Sequence, residues 1–224
     1  MKKLTNHFKT ALTYFFIVSL GFNCNNSSNK TEEIPPFDAA RNEIAQKYLT
    51  AGILKADKKL YNEAILEFNK ALKEDPYFSE VYSSRAEARY YANDLDGALE
   101  DCDRAVELSP NKERVFVARG NLKVVLKKYD EAIEDYSKCL ELNPDRPQIY
   151  FGRAGIEFLN SQYARSLDDV NESLRRQPNN GEAYYLRWKL GKVLGDKNKA
   201  CNDMLKAIKL GIKIPTEEMN YCNE

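Results

Sequence analysis

The sequence predicts an all-α protein built from repeated helix pairs, and three regular spacings carry that prediction. Four of the eight prolines recur every 34 residues, each within a polar turn sequence. Small residues recur at one fixed offset from these prolines, and aromatic residues recur at another. Because proline cannot continue a helix, each turn separates two helices, and a period of roughly 20–50 residues indicates a repeat architecture. The four prolines are Pro76, Pro110, Pro144 and Pro178.

Placing proline at position 32 of a 34-residue unit divides the chain into five repeats, each with a first helix A and a second helix B. Small side chains at position 20 allow two helices to approach closely, and aromatic side chains at position 4 suit knobs that fill holes on a facing helix. The repeats are 45–78, 79–112, 113–146, 147–180 and 181–214. Position 20 holds Ala64, Ala98, Ala132, Ser166 and Ala200, and position 4 holds Tyr48, Tyr82, Phe116, Tyr150 and Tyr184.

In these positions the chain resembles the tetratricopeptide repeat family over residues 45–214. The resemblance implies a right-handed α-solenoid of about five helix-turn-helix units in residues 37–214, followed by a C-terminal capping helix in residues 215–224. The fifth repeat departs from the pattern, with Trp188 in place of a small residue and Ile212 in place of proline. Such departures are expected in a terminal repeat, which has no next repeat to cover it.

Arginine at position 7 and aspartate at position 23 occur together in repeats two to five. This pairing predicts ion pairs between helices A and B or between adjacent repeats. A row of substrate-binding arginines is the alternative. The residues are Arg85, Arg119, Arg153 and Arg187 with Asp101, Asp135, Asp169 and Asp203.

Residues 1–23 are predicted to be a signal peptide. Lys2, Lys3 and Lys9 precede an apolar stretch, residues 11–22, which is shorter than the roughly 17–25 residues that span a bilayer. The chain then resembles a bacterial lipoprotein at Cys24, which would become the lipidated first residue of the mature protein.

Residues 24–36 would then be the lipidated cysteine and a flexible tether, because their polar composition cannot offset the cost of ordering. The match is imperfect, since Gly21 stands where lipoproteins have leucine and Asn23 where they have a small residue. Ordinary secretion and an uncleaved anchor are the alternatives. We expect membrane attachment through a lipid on Cys24 and a place in the bacterial cell envelope as an outer-membrane lipoprotein.

The residue inventory argues against an enzyme. The single histidine, His7, lies in the predicted signal peptide, which removes histidine-based triads, dyads and metal sites from the mature chain. Asp168 and Asp169 are adjacent, so on a helix their carboxylates project about 100° apart rather than converging. The formal net charge of zero disfavours a nucleic-acid partner. We therefore expect no catalytic residue, metal, cofactor or small-molecule substrate.

Four cysteines follow Cys24. Cys201 and Cys222 would lie at similar heights if the last two helices fold back on each other, so a disulfide between them is geometrically possible. The last helix is predicted to begin after Thr216 as its N-cap. Cys102 and Cys139 are predicted to be small buried hydrophobic residues.

The family resemblance implies that helix A positions 2, 5, 9, 12 and 13 line a concave groove for a partner peptide or helix. Position 5 lacks the Lys and Asn of the clamp that binds acidic carboxyl-terminal peptides, so that mode is disfavoured. Gly155, with Gly152 one turn earlier, either leaves a hollow for a partner side chain or only allows close packing. The predicted groove residues are Tyr90, Tyr91, Val124, Phe151, Gly155, Phe158 and Tyr185.

An apolar floor with a polar rim is typical of a surface that binds protein. The leading hypothesis is thus a non-enzymatic, membrane-anchored scaffold that binds a protein or peptide ligand, for example in envelope, secretion or pilus assembly. The alternative is an accessory module that tethers or regulates a cell-wall enzyme.

Overall fold

The computed structural model describes residues 39–222, which form two compact units, residues 39–126 and residues 127–222. The described residues are helices joined by short turns, which confirms the predicted all-α fold. The first unit contains α1 (Ala39–Asp57), α2 (Tyr61–Glu74), α3 (Ser79–Tyr91), α4 (Leu95–Leu108) and α5 (Glu113–Val125). The second contains α6 (Tyr129–Leu142), α7 (Pro147–Leu159), α8 (Tyr163–Arg176), α9 (Gly181–Leu194), α10 (Lys197–Lys209), α11 (Thr216–Met219) and a 3₁₀ turn (Asn220–Cys222).

Within each unit every long helix packs on the next one along the chain. The A helices of neighbouring repeats also contact each other, α1 with α3 and α3 with α5 in the first unit, and α7 with α9 in the second. Helix α1 begins at Ala39, six residues before the first predicted repeat at position 45. The recurring prolines lie in the turns between helix B of one repeat and helix A of the next.

Each turn from helix A to helix B contains a residue in the left-handed conformation at position 15 of the repeat. In the first, second, fourth and fifth repeats, the backbone N–H of the following residue donates to the carbonyl of position 11, as in Asp94 to Arg89 at 2.9 Å and Gln162 to Glu157 at 2.8 Å. Glycine adopts this conformation without strain, whereas most other residues do not. The residues and their φ angles are Lys59 (61°), Asn93 (65°), Lys127 (60°), Ser161 (62°) and Gly195 (85°).

Two glycines allow helix A to pack tightly against a buried aromatic ring of helix B. A Cβ atom at Gly52 would overlap the ring of Phe68, and one at Gly152 would overlap the ring of Tyr136. Both rings are fully buried. Of the two predicted roles for the paired glycines, the structure therefore supports close packing at Gly152.

The second unit ends in a small core around Trp188, which is fully buried. The indole packs with Met204, Ile214 and other residues of α10 and the following turn, and the side chains of Met219 and Tyr221 pack against the same cluster. The large residue at position 8 thus fills space at the end of the last repeat, where the other repeats need a small one.

The C-terminal segment is short. Helix α11 has four residues, and Pro215 rather than Thr216 occupies the N-cap position, so the prediction of a Thr216 cap is wrong by one residue. Cys201 and Cys222 are joined by a disulfide with a Cα–Cα distance of 5.6 Å. Cys102 and Cys139 are buried. We call residues 215–222, which this disulfide ties to α10, the C-terminal cap.

The predicted signal peptide, Cys24 and the tether lie outside the described residues. In the described part of the chain, no helix combines the length and apolar character needed to cross a bilayer. Residues 39–222 also contain no cluster of three or more His, Cys, Asp or Glu side chains able to hold a metal ion.

Candidate partner-binding surfaces

The predicted Arg–Asp pairs form inside the units and hold helix A to helix B. Arg85 donates Nε and Nη2 to the two carboxylate oxygens of Asp101 at 2.8 and 2.6 Å. Arg153 does the same to Asp169 at 2.6 and 2.9 Å, and Arg187 to Asp203 at 2.8 and 2.7 Å. These bidentate pairs satisfy buried or nearly buried carboxylates, which confirms the structural interpretation for these three arginines.

Each of these arginines also reaches the preceding repeat. Nη1 of Arg85 donates to Asn69 at 2.6 Å, and Nη1 of Arg153 donates to Ser137 at 2.9 Å. Nη1 of Arg187 donates to Asn171 at 2.8 Å. The acceptors all occupy position 25 of the repeat before, so one side chain links three helices.

The predicted groove residues fall in both units and differ in exposure. Tyr91 is 48% exposed, whereas Tyr90, Phe158 and Tyr185 are half-buried. The remaining three are buried, so their assignment to a partner-binding surface stays a prediction. They are Val124, Phe151 and Gly155.

In the first unit, three tyrosines form an exposed aromatic stack. The rings of Tyr61 and Tyr91 lie parallel with centroids 4.9 Å apart, and Tyr90 meets Tyr91 edge-on at 5.1 Å. Glu87 lies one turn earlier on α3, and its pKa is raised to about 7 by burial and by the nearby Asp57. The stack therefore combines flat aromatic surface with a carboxyl group that is partly protonated near neutral pH. We call Tyr61, Tyr90 and Tyr91 the tyrosine stack.

The second unit contains another edge-on aromatic contact and, in the fifth repeat, a polar contact with the C-terminal cap. The rings of Phe158 and Tyr163 meet edge-on with centroids 5.5 Å apart. In the fifth repeat, Tyr185 and Lys189 contact the carboxylate of Glu218 from the C-terminal cap.

Burial shifts the pKa values in this second group. Lys189 is 8% exposed, and burial lowers its pKa to about 8 against the opposing effect of Glu218. Burial also raises the pKa of the Tyr185 hydroxyl, as does the nearby Glu218. The cap carboxylate thus faces one buried cation and one hydroxyl donor.

Sequence reasoning missed Tyr61 and Glu218. Tyr61 begins helix B at position 17, where Tyr129 and Tyr163 recur, so the pattern contained a signal outside the helix A positions. Glu218 carries no such signal, because its role depends on how the cap folds back onto α9.

The comparisons with known proteins agree with this architecture. Residues 49–113 and residues 114–146 match the tetratricopeptide repeat family. No protein of curated function is similar to the chain by sequence.

Solved structures of similar fold cover most of the chain. MamA from Desulfovibrio magneticus RS-1 is 14% identical with a TM-score of 0.70, and the match covers 75% of this chain and 95% of that one. PilF from Pseudomonas aeruginosa is 18% identical with a TM-score of 0.68, over 78% of this chain and 80% of its own. YrrB, described as a tetratricopeptide protein with an unusual peptide-binding site, is 16% identical with a TM-score of 0.64, over 79% and 94%.

At these identities the structural likeness shows the fold alone. The family matches, the regular helix pairs and the inter-repeat arginines nevertheless point the same way. Residues 49–146 match the tetratricopeptide repeat family, and the described residues have the fold of tetratricopeptide-repeat proteins.

Proposed function

We propose that this chain is a non-enzymatic scaffold of the bacterial envelope that is anchored by a lipid on Cys24 and binds a partner peptide or helix through its A helices. The repeat class supports protein binding, and one relative of the same fold, YrrB, is described as having a peptide-binding site. Assembly of an envelope, secretion or pilus apparatus is the role to test first, by resemblance of architecture alone.

The tyrosine stack is the observation that carries the proposal. Tyrosine is enriched in protein interfaces, because it supplies a large apolar ring with a polar end at a small entropic cost. Tyr91 leaves about half of its surface exposed while its ring is fixed against Tyr61. A partner that buries this ordered ring would gain apolar contact without paying to order it.

The membrane part of the proposal depends on Cys24 and the predicted signal peptide. Several acyl chains on one cysteine would provide stable attachment, since each buried methylene contributes about 0.8 kcal/mol. We expect Cys24→Ser to move the protein from the membrane fraction to the soluble fraction and to remove the lipid mass. Unchanged fractionation and mass in the variant would contradict lipidation without affecting the binding proposal.

The binding part is tested by affinity capture from detergent-solubilised envelope, read by mass spectrometry. We expect the native chain to capture a partner that Tyr91→Asp does not, because the charged side chain disrupts the stack and cannot be buried cheaply. Tyr77→Asp is the matched control, since Tyr77 is also an exposed tyrosine of the first unit, at 53%, but lies in the turn before α3. Circular dichroism should show equal helix content in all three proteins.

The outcome also separates the hypotheses. A partner lost with Tyr91→Asp and retained with Tyr77→Asp supports the tyrosine stack as the binding surface. Recovery of a cell-wall enzyme by the native chain would favour the accessory-module alternative. Identical captures by all three proteins would show that the tyrosine stack is not the binding surface.

A further inference from the structure

The carboxylate of Glu218 is held between two side chains of helix α9. Lys189 Nζ lies 3.3 Å from Glu218 Oε1, and the hydroxyl of Tyr185 donates to Glu218 Oε2 at 3.1 Å. Both oxygens are therefore engaged, one by a cation and one by a neutral donor. The two side chains thus form a carboxylate-binding site with one contact to each oxygen.

The surroundings of Lys189 favour an anion there. Its ammonium group lies 4.6 Å from the ring centroid of Tyr185 and 5.3 Å from that of Trp188. A cation so enclosed loses hydration, and burial accordingly lowers its pKa. An opposite charge close by offsets that loss, so the charged form of Lys189 favours a bound carboxylate.

The residue that supplies this carboxylate belongs to a short, partly buried segment. Helix α11 has four residues, none of them buried, although Met219 and Tyr221 of the cap pack against the Trp188 cluster. A single helical turn is not stable by itself in water. The disulfide between Cys201 and Cys222 ties the segment to α10, which holds it beside α9 at a high effective concentration.

Tyr185 and Lys189 occupy positions 5 and 9 of the fifth helix A. The family resemblance assigns both positions to the partner-binding surface, so the cap covers part of the surface expected to bind a ligand. The chemistry differs from the family's acidic-peptide clamp, because position 5 supplies a tyrosine hydroxyl rather than Lys or Asn.

We propose that Tyr185 and Lys189 form a binding site for an acidic side chain of a partner protein, and that Glu218 occupies this site in the free chain. The proposal rests on the scaffold function, and it specifies that the partner presents a carboxylate to this site. The cap acts as a tethered competitor, which an acidic peptide must displace.

The test is a titration with a fluorophore-labelled synthetic peptide of residues 213–221, measured by anisotropy on the detergent-solubilised full chain. The released chain carries Glu218→Gln with Cys201→Ser and Cys222→Ser. We expect it to bind the peptide at least about tenfold more tightly than the native chain does. A peptide with Gln in place of Glu217 and Glu218 should bind about tenfold more weakly. Equal affinity of the native and released chains would overturn the proposal, as would equal affinity for the two peptides.

Two further variants of the released chain test the site itself. Lys189→Met should weaken binding about tenfold, because it removes the cation and keeps the length of the side chain. Lys199→Met is the matched control, since Lys199 belongs to the same unit but pairs with Asp196 at 2.9 Å, outside the cap. It should change affinity less than about twofold. Equal losses in the two variants would overturn the assignment.

If the released chain loses helical circular dichroism, Glu218→Gln with the disulfide intact serves instead, and it should still bind the peptide more tightly than the native chain. Native-like affinity in that variant would count against the proposal. A concentration-dependent dimer of the released chain would show that the site takes the cap of a second copy, which would also overturn it.

No envelope protein enters this titration. Its failure would leave the tyrosine stack and the scaffold proposal standing, whereas failure of the affinity capture would leave the carboxylate site intact.

Discussion

The second and fourth repeats share one ion pair but surround it with opposite charges. In the second repeat, Asp101 is bound by Arg85 and also by Arg89 Nη1 at 3.0 Å. In the fourth, Asp169 is bound by Arg153, and position 11 holds Glu157 where the second repeat has Arg89. Glu157 is 4% exposed, and its Oε2 has no hydrogen-bond partner.

The comparison shows that position 11 carries a charged side chain in both repeats, but that the sign of the charge differs. Two arginines bind Asp101 in the second repeat, whereas in the fourth Arg153 binds Asp169 beside the buried Glu157. The pKa of Glu157 is raised to about 7, first by burial and then by Asp169, while Arg153 and Arg165 oppose the shift. The raised pKa favours the neutral form of Glu157, which lowers its repulsion with Asp169, whereas in the second repeat Arg89 binds Asp101 directly.

The largest effect is expected from replacing the arginine at position 7, which both repeats share. Arg153→Met should lower the free energy of unfolding by about 3–5 kcal/mol, because Asp169 and Glu157 would remain buried without their nearest cation. Arg85→Met should cost only about 1–2 kcal/mol, because Arg89 still neutralises Asp101. Urea unfolding followed by circular dichroism measures both values. Equal losses in the two variants would contradict the proposed difference.

The next test concerns pH. The pKa of Glu157 is higher in the folded chain than its ordinary value of 4.5, so the unfolded chain ionises first as pH rises. The free energy of unfolding should therefore fall between about pH 4.5 and 7, by up to about 3 kcal/mol, and stay constant above that range as far as this group is concerned.

Glu157→Gln removes the share of this dependence that Glu157 contributes, whereas Glu87, whose pKa is also raised to about 7, keeps its own share. The variant should match the native chain near pH 4.5 and exceed its stability by about 2–3 kcal/mol near pH 8, as measured by urea unfolding at several pH values. Glu141→Gln is the matched control, because Glu141 lies in the same unit but its side chain is 66% exposed. Parallel pH profiles of native chain and Glu157→Gln would show that Glu157 is ionised at neutral pH in the folded protein.

The smallest effect concerns the left-handed residue of each turn. Ser161→Gly should raise the free energy of unfolding by about 0.5–1 kcal/mol, because serine at a φ of 62° is strained and glycine is not. Asn93→Gly, at the same place in the second repeat, should change it by less than about 0.5 kcal/mol, because asparagine tolerates this conformation. Thermal unfolding of both variants measures the two changes in stability. A larger stabilisation by Asn93→Gly than by Ser161→Gly would contradict this prediction.

The helix pairs and the Arg–Asp contacts were predictable from sequence, because both arise from residues that recur at fixed positions. A regular spacing places Arg85 opposite Asp101 and Arg153 opposite Asp169 by the same geometry.

The features that make single repeats different were not predictable in this way. Glu157 departs from the pattern, and only the structure shows that it is buried beside Asp169. Trp188 departs from the pattern as well, and only the structure shows that it fills the end of the last repeat. The contact of Glu218 with Lys189 depends on the path of the cap, which no recurring position determines.

The inter-repeat arginines have a consequence for how the chain opens. Arg85, Arg153 and Arg187 each bind acceptors in two repeats. When one of these repeats unfolds, its neighbour therefore loses a hydrogen bond too. In linear repeat arrays, strong neighbour coupling makes stretches of the chain open together instead of fraying one helix pair at a time. The arginines thus set the length over which local opening spreads within each unit.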